Sequence, residues 1–409
     1  MLRIGIIGYG RRIASMAKGL EIFDIPYRVT AVADPRGAEI RALNDPFLAD
    51  ARFYATADEL LATAGELDGI MIGTRCNLHT EMALKVAPTG LPLFLEKPVA
   101  ITFDEVRRLE AVYRDHAAPT VVSFPLRLSP IAQKVREIIA SDQVGSIEQV
   151  VAFNDVGYGS VYFKSWYRNY ELNGGLWLQK FTHDVDYINY LLEARPRWIS
   201  AMNARRVFGG DKPFDLQCKD CPEQESCPES PFVRFRTGFE GGRVRFAEEA
   251  VYRDDQFCVF SEGIELQDMG SCMLEYESGV QVSYTQNFFT RYRAARRGAR
   301  LYGYRGIIEF DWNQNQIKVF SHTSPVVETI DFSGAMPHFG GDRELSFDFL
   351  MAMRDRRPSR SPIKAGILSA LTCLWARESA NNRQPYEVVM PEKAAAKPLQ
   401  SRRELEQPA

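Results

Sequence analysis

The chain is poor in histidine, in long apolar runs and in charge of one sign. Only five histidines occur in 409 residues, so each one inside a recognisable pattern carries weight. No apolar run approaches the roughly 18 residues of a membrane span. Lysine and arginine number 50 against 53 acidic residues, a net charge of −3, whereas a nucleic-acid binder would show a basic excess. Seven cysteines are too few for a disulfide scaffold at this size. The opening Leu2-Arg3-Ile4-Gly5-Ile6-Ile7-Gly8 reads as a buried strand entering a glycine turn, with no charged leader before it, which predicts a cytoplasmic protein. What remains is an ordinary globular composition, 45% hydrophobic and 25% charged, over a length that suits more than one core.

Strand and helix patterns alternate through the first 124 residues. Apolar strands are predicted at 4–7, 28–33, 69–73, 93–95 and 120–124, with helices at 13–23, 79–86 and 102–113 and a short one capped by Asp58. Wholly apolar strands separated by helices predict a doubly wound parallel sheet, an N-terminal Rossmann domain over 1–124. From 125 to 390 the pattern changes to long, partly alternating strands at 147–154, 273–287, 299–310 and 316–320. Helices at 131–139, 176–192, 344–353 and 363–378 accompany them. This predicts an α+β domain with a large open, mostly antiparallel sheet, followed by a loose tail over 391–409.

Gly8-Tyr9-Gly10 lies between a strand and a helix, where glycine lets a backbone approach a pyrophosphate at the helix N-terminus. Ile13 stands where the third glycine of that fingerprint belongs. Asp34 ends the second strand, 26 residues after Gly8, placed to bind both ribose hydroxyls. A carboxylate there repels a 2′-phosphate and favours NAD; Arg36 beside it keeps NADP open.

With these go Thr74, Asn77 and His79, then Glu96-Lys97-Pro98, then Arg127 with Pro130. Gly174-Gly175 leads to Lys180-Phe181-Thr182-His183-Asp184, and His338 through Asp342 completes the order. In order and spacing the chain resembles the Gfo/Idh/MocA family of glucose–fructose oxidoreductase, inositol dehydrogenase and rhizopine-catabolism proteins over residues 1–385. The resemblance implies NAD(P)-dependent redox chemistry on a sugar, cyclitol or related polyol in a homo-oligomer, a dimer or tetramer. It implies a cofactor shell of Gly8, Tyr9, Gly10, Arg11, Arg12, Ile13, Asp34, Arg36, Thr74, Arg75, Asn77, His79, Glu96 and Lys97.

Lys97 leaves a strand end, where doubly wound folds bind their ligands, and its ammonium can hold a substrate hydroxyl. Lys180 and His183 share one helical edge, and an imidazole with an ordinary pKa near ~6.5 can take a proton as hydride leaves. Many family members carry an aspartate four residues before this histidine. Gln179 stands there instead and cannot relay a proton, so Lys180 is expected to replace it, as in the variant Lys-x-x-His-Asp branch. Arg127, Trp166, Arg168, Gln179, His338 and Asp342 are candidates for the substrate side. An NAD-retaining lyase or glycosidase working by transient oxidation, and a catalytically silent nucleotide sensor, are the alternatives to a dehydrogenase.

Cys218-Lys219-Asp220-Cys221 and Cys227 have the spacing of part of a structural zinc site, with Cys258 as the fourth ligand and Cys272 in reserve. Reduced, unligated thiols are the other reading. Arg291, Arg293, Arg296, Arg297, Arg300 and Arg305 form the one basic concentration, expected as a solvated sheet edge or subunit contact rather than a nucleic-acid surface.

Overall fold

The structure, a computed structural model, describes residues 1–236, 256–334 and 337–391. The tail expected over 391–409 therefore lies, from 392 onward, outside the described residues. Six parallel strands form the first sheet: β1 (Leu2–Ile7), β2 (Tyr27–Ala33), β3 (Arg52–Tyr54), β4 (Gly69–Ile72), β5 (Leu93–Leu95) and β6 (Thr120–Val122). Their order, β3-β2-β1-β4-β5-β6, puts the topological switch point between β1 and β4. β4 and β5 are buried at every residue, as a sheet covered on both faces requires. β3 and the helix Gly37–Ala42 are too short to carry a readable period. The short helix after β3 is capped by Thr56, whose side chain accepts from the Glu59 N–H at 3.2 Å; Asp58 instead pairs with Lys85.

The first long helix, α1 (Arg11–Lys18), meets the sheet without the usual third glycine. The space is made on the other side of the contact. A Cβ on Gly73 would lie 2.5 Å from the Ile13 Cβ, so the glycine that permits close packing sits after β4 instead of in the helix.

The second sheet is formed by β7 (Ile147–Asp155), β8 (Pro196–Ala204), β9 (Met269–Tyr276), β10 (Gln281–Asn287), β11 (Arg296–Gly303), β12 (Gly306–Asp311), β13 (Gln316–Ser321), β14 (Val327–Asp331) and β15 (Tyr386–Glu387). Their order is β14-β13-β12-β11-β7-β10-β9-β8-β15, and among the described strands only β10 and β7 run parallel as neighbours. One face is covered by α2 (Thr182–Leu192) and α4 (Ile363–Asn382). The other exposes Trp198, Met202, Met273 and Val151. No helix among the described residues is long and apolar enough to cross a membrane.

Two sequence expectations change here. The helix expected over 176–192 is a π-helical turn, Trp177–Phe181, running into α2, so spacing within it departs from the α-helical period. The helix α3 (Gly341–Asp355) lies in the span assigned to the second domain but packs on the first sheet. Phe349 meets Phe94 with ring centroids 5.8 Å apart, and Met353 fills the space over Gly69.

The Ile13–Gly73 contact yields a prediction. Gly73→Ala should cost about 1–3 kcal/mol in urea unfolding, the scale of overpacking. Ile13→Gly combined with Gly73→Ala should be less unstable than the two single losses summed. Additive losses would contradict the contact.

Candidate active site

The cradle comes first. Gly8 has φ +80° and a Cβ on it would lie 2.7 Å from the Thr74 nitrogen, so both backbone and space demand glycine. Gly10 differs: a Cβ there would meet only the Gly73 carbonyl at 3.5 Å, an ordinary contact. Nothing among the described residues requires glycine at that position, which suits close approach by an external group. The N-terminus of α1 behind it has no side-chain cap and no acid in its first turn. Asn77 adds a buried Oδ1 without a partner among the described residues. These features fit a dinucleotide, with Gly8, Gly10 and the start of α1 on its phosphates.

At the ribose end, Asp34 accepts from the Tyr9 N–H and the Arg36 N–H, each at 2.9 Å, and from the Arg36 guanidinium at 3.2 Å. Burial pushes this carboxyl up, but the bonds from Arg36 and Tyr9 outweigh it and hold it below its usual value. Arg75 stacks 3.9 Å over the Trp166 ring, which itself stacks on Tyr167. Trp166 thus meets the cofactor loop across the lobes.

Several expected cofactor residues prove to be struts. His79 directs Nδ1 at the Pro98 carbonyl (2.7 Å) and Nε2 at the Thr74 carbonyl (3.2 Å), tying the loops after β4 and β5 together. Arg12 forks onto Asp342 with two bonds of 2.6 Å and also meets Glu96 at 3.3 Å. It clasps the glycine turn to α3. His338, at φ 43°, donates from Nδ1 to Asp342 at 2.8 Å, so Asp342 belongs to this clasp. Arg11 is exposed at the start of α1.

Lys97 leaves β5 and crosses the crevice to donate to the Gln179 carbonyl at 3.1 Å. The Gln179 side chain turns away, donating to the Asn173 carbonyl (3.1 Å) and meeting the Cys76 sulfur (3.3 Å). It was expected to face substrate; in the widened π turn its backbone holds the lysine instead. Lys97, Lys180 and His183 do converge. Burial, with Lys180 adding, lowers the Lys97 pKa. Burial first, then Lys97, Arg297, Lys180 and His338, hold His183 well below 6.5. The expectation of an ordinary imidazole pKa is overturned: protonating His183 would add another cation to a group of cations. The imidazole is neutral and lies edge-on to Phe124 at 5.9 Å.

Asp184 pins this corner. Fully buried, it accepts from Asn154, Tyr284 and Arg297, each at 2.8 Å, from three neighbouring strands. Arg297 was expected at a solvated edge but forms this buried ion pair, while Arg296, Arg300 and Arg305 pair with Asp311, Glu309 and Asp142.

Two substrate candidates lie elsewhere. Arg127 is engaged with Asp186 at 2.8 and 2.5 Å and with the Arg360 carbonyl. Arg168 is buried against Phe214 and Phe257, and burial lowers it to about 10. It faces the cysteine segment. There the segments carrying Cys218 and Cys258 are joined by backbone bonds, with the Cys218 N–H donating to the Gln256 carbonyl and the Cys258 N–H to the Leu216 carbonyl, each at 2.8 Å. Burial, and then the other thiols, push the Cys218 thiol up to about 11 despite Lys164. Among the described residues, no three His, Cys, Asp or Glu side chains meet as a metal site. The zinc expectation for Cys218, Cys221, Cys227 and Cys258 gains no support, and no metal is assigned. Cys272, the reserve ligand, is buried in β9 (Met269–Tyr276).

A parallel sheet with a glycine cradle at its switch point, faced by a second lobe that brings Lys180 and His183 to Lys97, defines a nucleotide-binding oxidoreductase. The chain belongs to the Gfo/Idh/MocA family. The profile described as "Oxidoreductase family, NAD-binding Rossmann fold" matches residues 2–124, and that of the "GFO/IDH/MocA C-terminal domain" matches 132–309. YteT of Bacillus subtilis (strain 168), named as an oxidoreductase, is 25% identical over 71% of this chain and 72% of its own. The inositol 2-dehydrogenase of Rhizobium meliloti (strain 1021) is 28% identical over 50% of this chain and 58% of its own, so that match spans little more than half of the relative. A levoglucosan dehydrogenase solved with NADH and L-sorbose shares the fold, with TM-score 0.75 and 16% identity over 95% of this chain and 99% of that one.

Tyr158 was not singled out from the sequence, yet its hydroxyl hydrogen-bonds Lys180 Nζ. Its one signal was Gly157-Tyr158-Gly159 just past a strand end.

The Arg12–Asp342 clasp predicts an acid limb of stability. Burial raises the Asp342 carboxyl, but Arg12 and His338 bring it down to about 2. The clasp's contribution, about 1–2 kcal/mol, is therefore complete above the unfolded carboxyl pKa of about 4 and lost as pH falls toward about 2. Asp342→Asn should be destabilised in urea at neutral pH, with the deficit shrinking through that window. A pH-independent deficit would contradict it.

Proposed function

We propose that the protein is an NAD(P)-dependent dehydrogenase that oxidises a secondary alcohol of a sugar, cyclitol or related polyol, and reduces the corresponding carbonyl. The observation that carries this reading is the meeting of Lys97, Lys180 and His183 in the crevice that the glycine cradle opens into. The nicotinamide, when bound, supplies the hydride acceptor. The chain's own part is to orient the alcohol and handle its proton. Lys97 donates to the substrate oxygen and stabilises the negative charge that grows there as the O–H bond weakens. Neutral His183 offers a second hydrogen bond on the same side. Trp166, stacked with Arg75, provides a flat apolar wall suited to a ring. Asp34 supports NAD as the preferred dinucleotide. The exposed face bearing Trp198, Met202, Met273 and Val151 supports contact between copies of the chain.

NADH formation over a polyol panel tests the function. Lys97→Met should lower turnover by roughly 10²-fold or more. NAD(H) binding, followed by fluorescence quenching, should stay within about threefold because the dinucleotide is held chiefly by the first lobe. Near-native turnover would end the assignment. Asp34→Ala should narrow the NAD-over-NADP preference; an unmodified protein that prefers NADP tenfold would show that Arg36 governs the site.

A further inference from the structure

Tyr158 has no role in the account so far, and its setting is unlike that of a packing residue. The residue is 53% exposed. The turn that carries it must have glycine on the far side: a Cβ on Gly159 would lie 2.1 Å from the Phe288 carbonyl oxygen. Lys180, only 5% exposed, hydrogen-bonds the Tyr158 hydroxyl, and its Nζ lies 4.5 Å from the Tyr158 ring centroid and 5.4 Å from that of Tyr162. The lysine thus serves the tyrosine.

We propose that Tyr158 is the group that takes the alcohol proton, and that Lys180 is the positioning residue that keeps its oxygen ready to do so. The proposal rests on the dehydrogenase reading and specifies its acid–base step. The groups facing the phenol are Lys180 from the π turn, Arg297 from β11 (Arg296–Gly303), Lys97 from the end of β5, and the neutral phenols of Tyr162 and Tyr167. Arg297 is paired with Asp184, whereas Lys97 and Lys180 have no carboxylate partner among the described residues. The protein packed around it, though it leaves the residue half-exposed, would alone raise the phenol. The charge and hydrogen bond of Lys180 reverse that, Arg297 and Lys97 add, and the pKa comes down to about 8. A base poised there works near neutral pH, and it is a stronger proton acceptor than His183, whose pKa burial and the cations lower.

The step balances. The substrate C–H bond breaks and its electron pair leaves as hydride to the oxidised nicotinamide dinucleotide. The O–H bond breaks and its proton passes to the Tyr158 phenolate, leaving a carbonyl and a neutral phenol. The exposed side of the ring returns that proton to water. In reduction the phenol donates.

The first test needs no substrate: ultraviolet difference titration of tyrosinate in the ligand-free protein. One tyrosine should ionise with a midpoint of about 8. That signal should vanish in Tyr158→Phe and move up by about one unit or more in Lys180→Met, as loss of a neighbouring cation requires. In turnover, Tyr158→Phe should lose roughly 10²-fold in kcat/KM together with the limb of the pH profile near that midpoint. If no tyrosine ionises early, or if Tyr158→Phe keeps the wild-type rate and limb, the proposal is overturned. A wild type that turns over while Tyr158→Phe is unaffected counts against Tyr158 alone. A wild type inert on every polyol overturns the dehydrogenase reading and the proton-acceptor role with it, even if the titration shows the tuned phenol.

Discussion

Two ammonium groups, the buried Lys180 and the half-buried Lys97, have no carboxylate partner among the described residues and govern this crevice. Removing such charges from water costs several kcal/mol each unless other groups take them up. Lys97 is met by a backbone carbonyl and Lys180 by a phenol, acceptors that satisfy a hydrogen bond without cancelling the charge. Burial and then the remaining positive potential keep the neighbouring imidazole neutral and lower the Lys97 ammonium, and the same potential eases ionisation of Tyr158. It is also the field in which an alkoxide is most stable, so the cost in folding and the capacity for chemistry share one origin.

Such a site needs a rigid frame, and the carboxylates are spent on building it. Asp184 joins the start of α2 to three strands of the large sheet, and Asp342 joins α3 to the glycine turn through Arg12. Neither faces the reacting groups as a free anion. The chain's return to the first sheet as α3 is what allows the second of these clasps, and Lys97 reaching the Gln179 carbonyl is a further bridge between the lobes.

Much of this was legible in local pattern. The glycine turn, Asp34 at a strand end, Lys97 before proline and the Lys180–His183 pair are short motifs whose meaning depends on a strand or helix that shows its own period. The rest depends on contacts between residues far apart in sequence. Arg297 looked like part of a surface run because only the register of β7, β10 and β11 brings it to Asp184. Gln179 was misread because a π turn breaks the helical spacing assumed for it. Arg127 and Arg168 sit beside motif residues but turn into ion pairing and aromatic packing. Tyr158 carries no period at all, only two flanking glycines.

The central claim, that burial among unpaired cations sets the protonation of the crevice groups, is tested most directly at His183. Its imidazole can be followed by NMR in the ligand-free protein and assigned with a His183→Gln variant. The account predicts that it stays neutral through the pH window in which histidine ordinarily titrates. Protonation with a midpoint near ~6.5 would show that burial and the cations do not control the crevice, and would contradict the account.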